Sequence, residues 1–415
     1  MTAERIDPSR VAHPTRRPEL DAIRALVVVG LVFFHSALVF DSRDDFYVKN
    51  AETTDVTMIF ASLGVVWAMP MLFLIAGLGS WHSLRRRGPV GFARERVRRL
   101  GVPLLFATVT IVPVPQWLRL RADPDYHESY LRFLPRFFDV RLAPADFPFV
   151  LQGEHFETGH LWFVVLLLAF SLLLAPVARW LPAQWGSALR DRTAEAVRHR
   201  GLVLLPAVAV GVVSAVLGLE EGFAAWHRWA YLLFFLCGFA LAADERFRTA
   251  MRRDAVLAAA LGLLLFAVGL PGFLAAGESG DPFTDHTPLA IGARALYGAT
   301  GWCWLVAILG LLDRRPRRPA GTAERDTPGR RRYAYLSAAV LPLYVLHQPI
   351  VVAVAYGVVR WRAPILVEYV VIVAASLVLT VAAYDLLVRR TRVTRFLFGL
   401  RDQEPRRGGS DPARS

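Results

Sequence analysis

The chain has 415 residues, 55% hydrophobic, 12% aromatic and 20% charged, with a mean hydropathy of +0.39, which is too apolar for an ordinary water-soluble domain. The formal net charge of +13 does not indicate a nucleic-acid partner, because the basic residues fall in short clusters between apolar runs and form no continuous surface. Cys237 and Cys303, the two cysteines, both sit inside apolar runs, which argues for packing roles and against a disulfide framework or a thiolate metal site.

A bilayer core takes roughly 20 apolar residues per helix. Ten such runs occur, near 21–40, 57–80, 100–117, 160–178, 202–219, 227–243, 255–274, 291–312, 334–357 and 364–388. The first lies in "ELDAIRALVVVGLVFFHSALVF", and no small-residue cleavage site follows Phe40, so it reads as a retained span. It carries Asp21, Arg24 and His35. Arg24 and His35 are 11 residues apart, which at about 100° per residue is close to three full turns, so they share a face about 16 Å apart along the axis. Asp21 is one turn below Arg24 and can pair with it. Arg24 alone reads either as an interfacial residue paired with Asp21 or as a cavity residue. Two ionisable groups on one face favour a cavity or a pathway. An arginine there can hold a phosphate or carboxylate bidentately, and a histidine can take a proton from a hydroxyl.

Between the second and third runs lies "RRRGPVGFARERVRRLGVPLL". Its basic residues read as a topology signal or as an anionic site in which Arg96 and Arg99, three apart, act with a helix N-terminus. The segment 118–159 is the one long external connection expected, and it mixes aromatics with acids and histidines. It ends in Glu154, His155 and Glu157 before "GHLWF", which places His160 and Trp162 at the outer start of the fourth run. Trp162 by itself reads as an aromatic-belt anchor. The two histidines and two carboxylates match no standard metal spacing, so no metal is expected. Arg294 and Asp385 are polar residues in later runs to which the sequence assigns no role. "LPLYVLHQPIVV" sets His347 in the middle of the ninth run, two residues before Pro349, whose missing N–H bends the helix and frees a carbonyl. No P-loop and no Gly-x-Ser-x-Gly elbow occurs, which gives an ATP-driven pump or a serine hydrolase no support.

Basic residues favour short cytoplasmic loops. With the N-terminus inside, about 36 of the 48 lysines and arginines fall on the cytoplasmic side, so both termini are expected there. The expected class is an all-α polytopic integral membrane protein of about ten transmembrane helices. A cytoplasmic N-terminal tail (1–18), one membrane domain (19–390) and a basic cytoplasmic C-terminal tail (391–415) divide it.

These motifs together resemble the integral-membrane acyltransferase family 3, and within it the glucan-biosynthesis protein C type. The resemblance rests on "LDAIRALVVVGLVFFH", where Arg24 and His35 fit an Arg-x10-His pattern, on "RERVRRLGVPLL", where Arg96 and Arg99 fit Arg-x-x-Arg, on "GHLWF" and on "LPLYVLHQPIV". It spans about 19 to 390. The resemblance implies a plasma (inner) membrane enzyme that moves an acyl group from a cytoplasmic acyl-CoA to a hydroxyl of an exported or envelope carbohydrate or glycosylated small molecule. His35 would be the base and Arg24 its companion. Arg96 and Arg99 would hold the phosphates of the donor, and Asp21, His160, Trp162 and His347 would be further pocket candidates. The chain departs from some relatives in reading "LDAIRA" where many have a glycine-rich "LDGLRG", and in lacking an appended hydrolase-like domain. The competing class is a proton-coupled exporter, for which paired inverted repeats would speak; the sequence shows none.

Overall fold

The computed structural model describes residues 18–43, 45–54, 56, 63–180, 182–314 and 328–400. Most of the expected N-terminal tail, the start of the second run, most of the Arg-rich connection 313–333 and the end of the C-terminal tail lie outside these residues. The described part of each of the ten apolar runs is mostly helical, and the protein is an all-α polytopic membrane protein.

Helix α1 (Pro18–Leu38) is followed by α2 (Ala68–Arg96), a π-turn (Val97–Gly101), α3 (Val102–Thr110) and α4 (Pro113–Arg121). After a loop come α5 (Tyr130–Phe137), α6 (Trp162–Trp180), α7 (Ala183–Ala196) and α8 (Pro206–Leu217). The chain continues through α9 (Arg228–Leu241), α10 (Glu245–Ser279), α11 (Pro288–Asp313), α12 (Pro328–Val358), α13 (Ile365–Ala383) and the short α14 (Arg392–Leu397). Several starts are set locally: the side chains of Asp244 and Thr287 accept from the amides of Arg246 and Ala290, and Pro288 occupies the first turn of α11.

Eight helical stretches among the described residues are long and apolar enough to cross a membrane, against about ten expected, and the difference has two physical sources. The stretch Leu63–Arg121 contains two of the expected runs, because α2 breaks at Gly88 (φ 69°, ψ 173°) just before Pro89. Arg96 donates to Ser80 Oγ at 3.0 Å and Ser83 donates to Glu95 at 3.0 Å; on a straight helix residues 80 and 96 would be about 24 Å apart. The chain therefore turns back on itself at Gly88, and two antiparallel arms result. The other source is α8, which together with the 3-10 turn before it covers Leu202–Leu217, about 24 Å at 1.5 Å per residue and short of the roughly 30 Å hydrocarbon core.

Close backbone approach, aided by small residues, holds α2 against α9. A Cβ at Gly77 would sit 2.0 Å from the Phe235 carbonyl oxygen, and one at Gly238 would sit 2.0 Å from that of Leu74. Beside this crossing an aromatic core gathers Phe73, Phe163 and Tyr231, with ring centroids of Phe73 and Tyr231 at 4.5 Å and of Phe73 and Phe163 at 4.8 Å. A second apolar cluster joins α1, α12 and α13 through Val32, Val351, Val352 and Ile372. Large apolar side chains such as Leu105, Val208, Leu263 and Val378 are exposed on the outside of the bundle, as a lipid-facing surface requires. The long connection after α4 folds as α5 and a two-stranded hairpin, β1 (Arg141–Leu142) and β2 (Leu151–Gln152), paired Arg141 to Gln152 and Leu142 to Leu151. The buried rings of Phe133 and Phe137 anchor α5.

Candidate active site

Three histidines from three spans meet near the end of the bundle that carries the long connection. His35 (α1) and His347 (α12) have ring centroids 5.2 Å apart, and His347 and His160, just before α6, are also 5.2 Å apart. Proline chemistry explains part of this arrangement. Pro349 has no N–H to give to the carbonyl four residues back, that of Val345, and His160 Nε2 donates to that carbonyl at 2.9 Å. The amide of His160 donates to Gln348 Oε1 at 3.0 Å, and the Tyr344 hydroxyl donates to the His160 carbonyl. One residue thus fastens the start of α6 to α12.

His347 donates from Nδ1 to the Tyr344 carbonyl at 2.6 Å, and its Nε2 is buried without a partner. His35 Nδ1 is also buried without a partner, while its ring stacks on Phe46 at 5.8 Å. An imidazole nitrogen that is shielded from water and engaged by no donor is free to accept a proton from a hydroxyl brought against it.

The other end of α1 carries the arginines. Arg24 Nη1 lies 3.2 Å from Asp21 Oδ1, and Nη2 donates to the carbonyl of Ile75 on α2 at 3.3 Å. Arg96 bonds Ser80 and stacks over Phe92 at 5.0 Å. Glu95 organises the rest: Arg99 lies 3.4 Å from it and Arg87 3.7 Å, and Ser83 donates to it. The charges of Arg24, Arg87 and Arg99 all reach Arg96. Among the described residues, four guanidinium groups gather here around two carboxylates, Asp21 and Glu95. The helix N-terminus expected beside Arg96 and Arg99 is elsewhere. The arm starts at Pro89 and runs unbroken through Arg96 and the π-turn, so its first free amides are about 10 Å down the axis.

Trp162 is no belt residue. It is buried among Phe73, Phe163, Phe223 and Tyr231. Of the acidic and histidine side chains before it, Glu154 and His155 stay 3.6 Å apart while the others part: Arg136 donates to His155 Nε2 at 2.8 Å, Tyr47 donates to Glu157, and His160 turns to α12. Among the described residues no three His, Cys, Asp or Glu side chains gather as a metal site. Arg294, buried, donates to the carbonyls of Pro282 and Ala215 at 3.1 and 3.2 Å and so clips a loop to the end of α8. Asp385 accepts from Tyr335 at 3.1 Å and from Arg389 at 2.6 Å. The sequence reading did not single out Ser80, Glu95, Tyr344 or Gln348. The freed carbonyl before Pro349 was the one available signal, and it pointed to Val345.

Comparison with known proteins gives these clusters a context. The family described as "Acyltransferase domain", acyltransferase family 3, matches residues 17–385. "Glucans biosynthesis protein C" of Escherichia coli O6:K15:H31 (strain 536 / UPEC) is 27% identical over 154 residues, 37% of each chain. The protein of that name from Salmonella gallinarum (strain 287/91 / NCTC 13346) is 23% identical over 169 residues, 39% of each chain. The chain thus matches less than half the length of these curated relatives. No solved structure matches. A family match over residues 17–385, on a bundle of apolar spans, means that the chain is a multi-pass membrane protein that belongs to acyltransferase family 3.

Proposed function

We propose that the protein transfers an acyl group from a cytoplasmic acyl-CoA to a hydroxyl of an exported or envelope carbohydrate, with residues 19–390 as the catalytic membrane domain of a plasma-membrane enzyme. One observation carries this reading: the arginine cluster and the histidine cluster sit at opposite ends of α1, with Arg24 and His35 about 16 Å apart along its axis. A donor that suits both ends is polyanionic at one end and carries its acyl group well away from the charges, as an acyl-CoA does. Arg96 and Arg99, with Arg24 and its partner Asp21, would take the phosphates by charge-assisted hydrogen bonds. His35 would take the proton of the acceptor hydroxyl as its oxygen attacks the thioester carbonyl, and the C–S bond then breaks to release the thiolate. His347 and His160 would hold the neighbouring ring in place. The names of the relatives favour a glucan among carbohydrate acceptors.

The test is CoA release by purified protein in detergent, offered short acyl-CoAs with and without an envelope glycan extract. Acceptor-dependent release should fall at least 100-fold in His35→Ala, the lower range for loss of a general base. Full acceptor-dependent release in that variant would remove His35 from the chemistry.

A further inference from the structure

The connection between α4 and α6 forms much of the wall of an open cavity of about 450 Å³ that neither cluster lines, within the roughly 300–1,000 Å³ of small-molecule sites. It lies between the hairpin, which contributes Arg141, Leu151 and Gln152, and the start of α9 with the turn before it, which contribute Arg228 and Phe223. Glu157 and Thr158 line it too, three and two residues before His160.

The chemistry of the walls selects the ligand. Arg228 is already engaged: Nε and Nη2 donate to Glu220 at 3.2 and 2.7 Å, and Nη1 donates to the carbonyls of Asp146 and Phe147 at 3.3 and 3.4 Å. It cannot also grip a phosphate bidentately, and the carboxylates of Asp146 and Glu157 in the lining repel an anion. What remains is a mixed surface. Arg141 donates only, Gln152 and Thr158 both donate and accept, the carboxylates accept, and the stacked pair Phe149 and Phe223, centroids 4.8 Å apart, gives an apolar wall. Vicinal hydroxyls, each a donor and an acceptor, satisfy such a surface.

A relay of contacts links the cavity to His35. Tyr47 donates to Glu157, and its neighbour Phe46 stacks on His35 at 5.8 Å. A Cβ at Gly159 would sit 3.2 Å from Tyr47 Oη and 3.9 Å from Gln348 Oε1, so Tyr47 and Phe46 are the partition between the cavity and His35. We propose that this cavity is the acceptor subsite and takes a neutral, hydroxyl-rich carbohydrate. The proposal rests on the acyl-transfer reading and adds where the acceptor sits.

The test titrates glucose di- and tetrasaccharides, without donor, into the full-length protein in detergent and reads Kd by calorimetry. Leu151→Trp fills the cavity and Arg141→Ala removes a charged donor at its exposed rim; each should weaken binding about tenfold. Leu142→Trp, at an exposed hairpin position outside the lining, should keep the wild-type Kd and reports whether the hairpin tolerates tryptophan. CoA release from a short acyl-CoA, with the same oligosaccharides as acyl acceptors, is followed in parallel. Wild-type Kd and acceptor KM in both cavity variants would overturn the subsite and leave acyl transfer to carbohydrate standing. No binding and no transfer with any probe would overturn the subsite together with the carbohydrate reading.

Discussion

The Tyr344 hydroxyl does a job that a phenylalanine could not, since it donates to the carbonyl of His160 at the point where α6 begins. Tyr344→Phe keeps the ring and its packing but leaves a buried carbonyl short of a donor, at a cost of about 1 kcal/mol. The variant should fold with a lower thermal midpoint and lose kcat several-fold while the donor KM holds; unchanged kcat would show that the seat of His160 does not matter to the reaction. Glu157 is the residue outside the spans with the clearest pH signature. Burial raises its pKa above the ordinary 4.5, against the opposing pull of the Tyr47 hydrogen bond and of Arg119. The folded state therefore keeps that proton to higher pH than the unfolded chain does. Its stability margin is full below the unfolded value and is lost as pH rises through the folded one. Glu157→Gln should flatten the fall in thermal midpoint as pH rises above the ordinary 4.5; an unchanged slope would remove Glu157 as its source. His35 and Arg24 were legible in the sequence because each is a costly group in an apolar run. Glu95 was not, since one carboxylate in a basic stretch reads as solvated until the hairpin brings Ser83 and three arginines around it.

At the scale of elements, the apolar runs were legible because lipid imposes a length and a composition on each span, and the described part of every run is mostly helical. What the pattern does not carry is where a helix turns back. Gly88, with φ 69° and ψ 173°, lies in a region of backbone space that is essentially glycine-only. A Cβ there would meet nothing within 4 Å, so Gly88→Ala isolates the conformational cost, about 1–3 kcal/mol. That strain falls on the hairpin that places Arg96 on Ser80 and Glu95 on Ser83. The variant should therefore bind short acyl-CoAs more weakly with His35 chemistry intact, seen as a raised donor KM at near-normal kcat. A loss confined to kcat would instead separate the hairpin from donor binding. The loop between α4 and α6 was legible only as polar and aromatic. Its hairpin is set by two pairings, Arg141 with Gln152 and Leu142 with Leu151, that leave little periodicity in the sequence.

For the whole molecule, the two clusters matter only if they face opposite compartments, and arginine placement predicts which is which. The hairpin tip at Arg85 to Arg87 and the segments around α7 and the tail are richer in arginine than the connection that holds α5 and the β-hairpin. The positive-inside bias predicts the arginine end in the cytoplasm and the histidine end outside, as the proposed transfer from acyl-CoA to an exported glycan needs. Single cysteines test this directly, because the native Cys237 is largely buried and Cys303 fully so. Arg86 and Leu142 are both exposed, one at each end. In intact cells a membrane-impermeant maleimide should label Leu142→Cys and spare Arg86→Cys until the membrane is permeabilised. The reverse pattern would turn the enzyme over and place donor recognition on the wrong side for a cytoplasmic thioester. Labelling of both without permeabilisation would mean that the hairpin tip is not sealed from the outside, and the acyl group would then have no membrane to cross.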